Sequence, residues 1–439
     1  MTTIASPGTA RDLEAERTRF RRLQGRLRRI WDATHSIRPW AHSAVIVPSL
    51  SMDQDELDKI EGVSFYEERL LFSLIRLRNP EARVLYLTSQ PVHPEIIDYY
   101  LQLLVGVPAS HARRRLALIC VYDASARPLT QKILERPRVL ARIRAWIGNP
   151  RRAYMSCFNS TALERQLSVE LGIPLNAVDP DLLALGTKSG CREVFAEAGA
   201  DHPRGYENLM SAEQVARKLI ELRDQLPELR RAVVKLNASF SGEGNALFTY
   251  PSDPRELAAL WNGDLEVLRR NLEWSTQDLT FDRYFGKFAQ IGGIVEEFVE
   301  AVRVESPSAQ LRVTPAGDVQ LLSTHDQVLG GATGQSYMGC HFPARAEYRG
   351  LIQSEALRIG RTLARKGATG RFAIDFVVLR TDKDAPWRCV AIEVNLRMGG
   401  TTFPFVALQF LTGGNLDPET GRFYSQRGAE KFYFATDAL

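Results

Sequence analysis

At 439 residues the chain exceeds the size at which a single hydrophobic core stops growing, so two or three domains are expected. Its 44% hydrophobic and 25% charged residues are those of an ordinary globular protein, no apolar run approaches membrane-spanning length, and the N-terminus carries no apolar leader segment. A net charge of +4 argues neither for nor against nucleic acid, while five scattered cysteines with no C-x-x-C pair exclude a zinc knuckle or a disulfide framework and fit a reducing, cytoplasmic compartment.

Residues 11 to 31 place Leu13, Phe20, Leu23, Leu27, Ile30 and Trp31 at helical spacing among arginines, which predicts an amphipathic helix within an N-terminal segment, 1–42. Glu14 and Glu16 interrupt its basic face, so that face reads as solvated rather than as a membrane or nucleic-acid surface. From 43 to 185, β-rich runs at Ala44–Pro48, Val84–Thr88 and Leu116–Val121 alternate with helical stretches at Tyr66–Leu77, Glu95–Leu104 and Leu129–Trp146. The alternation predicts a doubly wound α/β domain, a parallel sheet covered on both faces. No G-x-G-x-x-G run follows these strands, so the domain is expected to contact substrate or to act as a scaffold. A boundary is placed at 186, where Gly186-Thr187-Lys188 opens a helix that stops at Gly199.

Beyond a second helix, Ala212–Leu226, the strand Arg231–Asn237 carries Lys235 among apolar residues. It runs into a loop containing Ser239, Ser241, Gly242, Glu243 and Gly244. A lysine so placed needs an anionic partner or must snorkel to solvent, and the backbone N–H groups of such a loop suit phosphate oxygens. There is no Walker A run, so a bound nucleotide must be held by another fold. Trp261–Leu272 reads as a helix. The stretch Ile294–Val299, with Glu296, Glu297, Phe298 and Val299, reads as a strand that either pairs in a sheet or presents its backbone to an adenine edge, with Glu305 placed to accept from ribose hydroxyls. A hairpin through Pro315–Gly317 follows, and Arg312 on its first strand suits a carboxylate or phosphate. His325 reads as structural; it and Asp326 are weak candidates for a general base. The polar loop Gly330–Tyr337 is expected to bind substrate or to act as a lid.

Past a helix at Leu351–Lys366, one strand carries Asp375, and the next, Ile392–Leu396, places Glu393 and Asn395 on one face by alternation. Carboxylates on neighbouring strands can converge on one cation, and hard oxygen donors suit Mg²⁺. Met398–Thr402, with Gly399, Gly400 and Thr401, lets backbone approach a ligand beside it. The plain alternative is an edge strand with one polar face.

Taken in order, Lys188, Lys235, the Ser239–Asn245 loop, Glu296-Glu297, Asp375 and Glu393-x-Asn395 resemble the ATP-grasp superfamily, most closely the pheganomycin-type peptide ligases among the carboxylate–amine ligases. Gly-Gln-Ser-Tyr337-Met-Gly and Asn395-Leu-Arg397-Met-Gly-Gly extend the likeness. The resemblance implies a two-lobed α+β nucleotide-binding domain over 186–411, and a C-terminal extension, 412–439, that is a short or truncated form. It implies ATP contacted by Lys188 and Lys235, the loop closed over the γ-phosphate, Glu296 to Val299 on adenine, and two Mg²⁺ ions on Asp375, Glu393 and Asn395. Ala373 stands where some amino-acid ligases of the superfamily carry an arginine, which leaves both Arg397 and Arg371 as catalytic candidates. Arg312, Tyr337, Gly399, Gly400 and Thr401 are the expected substrate contacts. The activity implied is ATP-dependent amide formation through an acyl phosphate, joining an amino-acid-like carboxylate to the amine of an amino acid or peptide. A phosphotransferase or carboxylase on the same metal site, or a nucleotide-binding regulatory protein without turnover, are the alternatives. No nucleic-acid or membrane partner is expected, and a homodimer is compatible with the sequence.

Overall fold

The structure is a computed structural model describing residues 10–36, 39–52, 54–58, 60, 62–238, 244–275, 279–330 and 336–436. Four strands, β1 (His42–Val47), β2 (Ala82–Thr88), β3 (Leu116–Cys120) and β4 (Ala153–Cys157), form a parallel sheet in the order β3-β2-β1-β4. Every residue of β1 is buried, because helices cover both faces of a parallel sheet. Ala44, Ile46, Val84 and Tyr86 enter one core, and Val45, Val47, Leu85 and Leu87 enter the other.

The next strands are β5 (Gly205–Leu209), β6 (Arg231–Leu236), β7 (Asn245–Thr249), β8 (Leu272–Trp274) and β9 (Gly293–Glu297), joined as an antiparallel sheet in the order β5-β9-β6-β7-β8. Helices Ala212–Gln225 and Phe281–Ile291 bury Leu219, Tyr284 and Phe288 against it. A larger sheet follows. Its members are β10 (Arg303–Glu305), β11 (Pro307–Val313), β12 (Val319–Gly330), β13 (Ser336–Phe342), β14 (Gly370–Arg380) and β15 (Arg388–Asn395), closed at its far edge by the last strand of the chain, Tyr433–Thr436. The helices Ala346–Arg365 and Lys188–Ala198 cover one face of this sheet. Its other face looks into the cleft described below.

The predicted fold class holds, a doubly wound sheet followed by two antiparallel lobes, while several predicted elements change. The single N-terminal helix is two, Ala10–Gln24 and Leu27–Thr34, interrupted around Gly25. Leu129–Trp146 divides into Leu129–Leu134 and Pro137–Ile147, because a proline fits the first turn of a helix but not its interior. Trp261–Leu272 is replaced by helices Pro254–Trp261 and Leu265–Arg270, separated at Gly263, whose φ of +90° suits only glycine. Strand β4 and the helix Phe281–Ile291 had no sequence forecast.

Candidate active site

A cavity of about 500 Å³ opens between the five-stranded sheet and the bare face of the larger sheet. Two lysines enter it from different elements. Thr187 caps the helix Lys188–Ala198 by accepting from the Gly190 N–H at 3.0 Å. Glycine is required at 190, since a Cβ there would lie 1.9 Å from the Ala184 carbonyl oxygen. The Ser189 N–H and hydroxyl donate to Asn237 Oδ1 at 3.0 and 2.7 Å, which seats the start of this helix against the end of β6. Lys188 and Lys235 therefore face one cleft, each only 7% exposed. The Lys235 ammonium donates to Glu296 Oε1 at 2.5 Å, and Arg192, from the helix, reaches Glu296 Oε2 at 3.2 Å. Glu296 is thus a buried carboxylate shared by two cations, the arrangement that makes such burial tolerable.

The opposite wall is the β14–β15 hairpin. Register sets Asp375 directly across from Glu393, with a bulge immediately after Asp375. Asp375 accepts from Gln327 Nε2 and from Asn395 Nδ2, both at 2.9 Å. Burial and then the facing Glu393 push the Asp375 carboxyl up to about 6. Burial also works against Glu393, but Lys188 at 2.5 Å, with Lys235 and Arg397 behind it, outweighs that and holds its carboxyl below the usual range. Two carboxylates in register with side-chain amides beside them make a hard-oxygen donor set, which fits Mg²⁺ carrying phosphates. No group of three or more His, Cys, Asp or Glu able to hold a metal exists among the described residues. Arg397 lines the same cleft, and its guanidinium donates to the Met398 carbonyl at 3.0 Å.

A family described as IQCH-like, ATP-grasp, matches residues 182–251 and 271–419. Over 367 residues the chain is 30% identical to the L-propargylglycine–L-glutamate ligase of Streptantibioticus cattleyicolor, which covers 82% of this chain and 72% of the relative. The chain belongs to the ATP-grasp family. It is 23% identical to IQ motif-containing protein H of Danio rerio over 87% of its length, spanning 40% of that larger protein. Biotin carboxylase from Campylobacter jejuni, solved as a complex with an ATP ligand, shares the fold with a TM-score of 0.51 at 14% identity, covering 86% of this chain and 69% of that one. The chain is accordingly an ATP-dependent carbon–nitrogen ligase of the carboxylate–amine type.

Within this ATP-grasp cleft the structure gathers Lys188, Lys235, Glu296, Glu297, Phe298, Val299, Tyr337, Asp375, Glu393, Asn395, Arg397, Gly399, Gly400 and Thr401. Gly400 is tight against Tyr337, whose ring a Cβ would approach to 3.0 Å. Glu297 lines the cleft but accepts from the Arg204 N–H at 2.8 Å, and Phe298 and Val299 follow it just past the end of β9. Ser239, Ser241, Gly242 and Glu243 lie outside the described residues. Gly244, at the end of that loop, accepts from the Leu236 N–H at 3.0 Å and closes the β6–β7 hairpin.

Other expectations are corrected. Glu305 does not face the cleft: alternation along β10 sends Val304 and Ser306 inward and turns Glu305 to Arg345, which donates to it at 2.8 Å. Arg312 and Arg371 line a separate cavity, so of the two catalytic candidates only Arg397 stands among the carboxylates. His325 is buried against Tyr433, with its Nε2 2.7 Å from the phenol oxygen, and burial lowers its pKa to about 3. Asp326 accepts from the Tyr348 hydroxyl at 2.7 Å, also away from the cleft. Sequence reading missed Gln327, which holds Asp375, and the aromatic wall of Tyr66, Phe158 and Phe403 with Arg69 stacked 3.6 Å over Tyr66. Alternation along β12 places Gln327 with His325, so only the position of Asp375 across the sheet could single it out.

Proposed function

We propose that the chain activates an amino-acid-like carboxylate with ATP and joins it to the amine of an amino acid or peptide. The pairing of Asp375 with Glu393, facing Lys188, Lys235 and Arg397 across one cleft, carries this reading. A substrate carboxylate oxygen attacks the γ-phosphorus, the bond to the bridging oxygen breaks, and ADP leaves with that electron pair. The amine nitrogen then adds to the acyl carbon, the tetrahedral intermediate expels phosphate, and the amine proton passes to a base or to solvent. Lys188 and Lys235 would meet phosphates, the backbone of Glu296 to Val299 would read the adenine edge, and the Ser239–Asn245 loop would close over the γ-phosphate. Arg397 stabilises charge developing on the transferring group. Asp375, Glu393 and Asn395 would hold Mg²⁺, up to two ions, which when bound neutralises phosphate charge. The wall of Tyr66, Phe158 and Phe403 excludes water from the acyl phosphate.

An amino-acid acid and an amino-acid amine are favoured because the Streptantibioticus relative is named for joining two amino acids. The test is a matrix of amino acids and dipeptides, singly and in pairs, with nucleotide products separated and amides detected by mass. ADP and phosphate in step with one amide are expected. AMP and pyrophosphate would mean adenylation, and would remove the acyl-phosphate route.

A further inference from the structure

A second cavity, about 250 Å³ in volume, lies beside the cleft, bounded by the helix Leu27–Thr34, the parallel-sheet domain and the larger antiparallel sheet. Arg76, Arg312 and Arg371 all line it, and not one Asp or Glu does. Arg312 and Arg371 are directly opposite each other on β11 and β14, a cross-strand pairing of like charges that costs stability unless something offsets it. None of the three makes an ion pair among the described residues. Arg76 donates to the Tyr154 hydroxyl at 3.2 Å and Arg312 to Gln320 Oε1 at 3.1 Å, neutral acceptors in both cases. The Arg371 Nη1 is sealed from solvent with no hydrogen-bond partner among the described residues. Burial, then Arg312 and Arg76, lower its pKa to about 9, with no carboxylate acting the other way. The Arg312 guanidinium is held 4.8 Å over the Trp31 ring, so its position is built rather than incidental.

We infer that this cavity binds a small polyanion, a molecule bearing two or more carboxylate or phosphate charges, with Arg371, Arg312 and Arg76 as its ligands. Three guanidiniums converging without a counter-charge match such a ligand through paired N–H···O bonds. The cavity has half the volume of the nucleotide cleft, which selects a small anion over a nucleotide. It is nevertheless close to the reacting groups. Arg371, Ala373 and Asp375 alternate along one face of β14, the first bordering this cavity and the other two the cleft. Arg397 and Met398 divide between the two cavities in the same way.

The test is isothermal titration of the full chain with citrate, L-glutamate and inorganic phosphate in separate arms, which tells carboxylate from phosphate. One saturable site per chain is expected for at least one of them, with a Kd below ~1 mM, weakened ~10-fold or more in Arg371→Met and in Arg312→Gln. Affinity for ATP, titrated in parallel, should stay within about twofold in both variants, and anion binding should persist when ATP is saturating. A melting curve adds a second readout. In anion-free buffer Arg371→Met should melt at or above wild type, because a buried unpaired cation has been removed, and the bound anion should raise the wild-type midpoint only. Three outcomes overturn the inference: no saturable binding of any probe up to ~10 mM, binding undiminished in both variants, or displacement of the anion by ATP. A midpoint several degrees lower for Arg371→Met without anion would make Arg371 a structural cation, with the same consequence; Arg312→Gln decides if that variant does not fold.

Discussion

Glu393 answers to two demands. In the structure its carboxylate holds Lys188 at 2.5 Å, and in the proposed reaction it must also serve a cation. Glu393→Gln should therefore do two things at once. It leaves the buried Lys188 without its counter-charge, lowering stability by about 1–3 kcal/mol, and it should reduce ADP formation by about 10²-fold or more. Adding Lys188→Met should restore the melting point but not the rate. Turnover within about twofold of wild type would make Glu393 an ordinary strand residue. Its neighbour Asp375 supplies a pH signature. A folded-state carboxyl raised to about 6, against about 4 unfolded, binds its proton more tightly in the native protein. Its contribution to stability is then present at low pH and lost as pH rises through 6. In chelator-treated protein the gap in unfolding free energy between Asp375→Asn and wild type should widen from pH 4 to pH 6.5 in favour of the variant. A gap that stays flat over that range would refute the raised carboxyl.

Strands β6 and β9 and the helix Lys188–Ala198 meet at the Glu296 carboxylate, which lies between Lys235 and Arg192. Removing a buried acid from two buried cations costs far more than the pair itself contributes. Glu296→Ala should lower stability by about 3–5 kcal/mol in urea unfolding, and a loss below about 1 kcal/mol would show that solvent reaches both cations. The β14–β15 hairpin was the most legible element, because alternation alone put Glu393 and Asn395 on one face and the strand spacing put Asp375 near them. Glu305 illustrates the opposite case. In a three-residue strand one step of register reverses the face, and nothing local distinguishes a ribose acceptor from a partner of Arg345.

The parallel-sheet domain and the larger antiparallel sheet share a core. Phe405, on the helix Thr402–Thr412, is 1% exposed and packs edge-on to Phe342 and Phe423, in the same cluster as Ile46, Val84 and Tyr86. The Met398 N–H donates to the Phe158 carbonyl at 3.1 Å, tying the glycine segment of the active site to the end of β4. Phe405→Ala should cost about 3–5 kcal/mol and move calorimetric unfolding of both units together; a transition of the parallel-sheet domain left at its wild-type temperature would show the two to be independent. No helix among the described residues is long and apolar enough to cross a membrane.

Periodicity in the sequence determined the doubly wound domain and the carboxylate–amide wall of the cleft, because these follow from spacing along single elements, while the two-lobed fold was legible only through the resemblance that the ordered polar residues carry. Which cations meet which anions was decided by tertiary structure alone. Lys188 and Glu393 are 205 positions apart, and Lys235 and Glu296 are 61 apart. Tertiary structure likewise separated Arg371 from Arg397. Pairing of β11 with β14 set Arg371 opposite Arg312 at the second cavity, while Arg397, just past the end of β15, lines the cleft with Asp375, a division that no local pattern encodes.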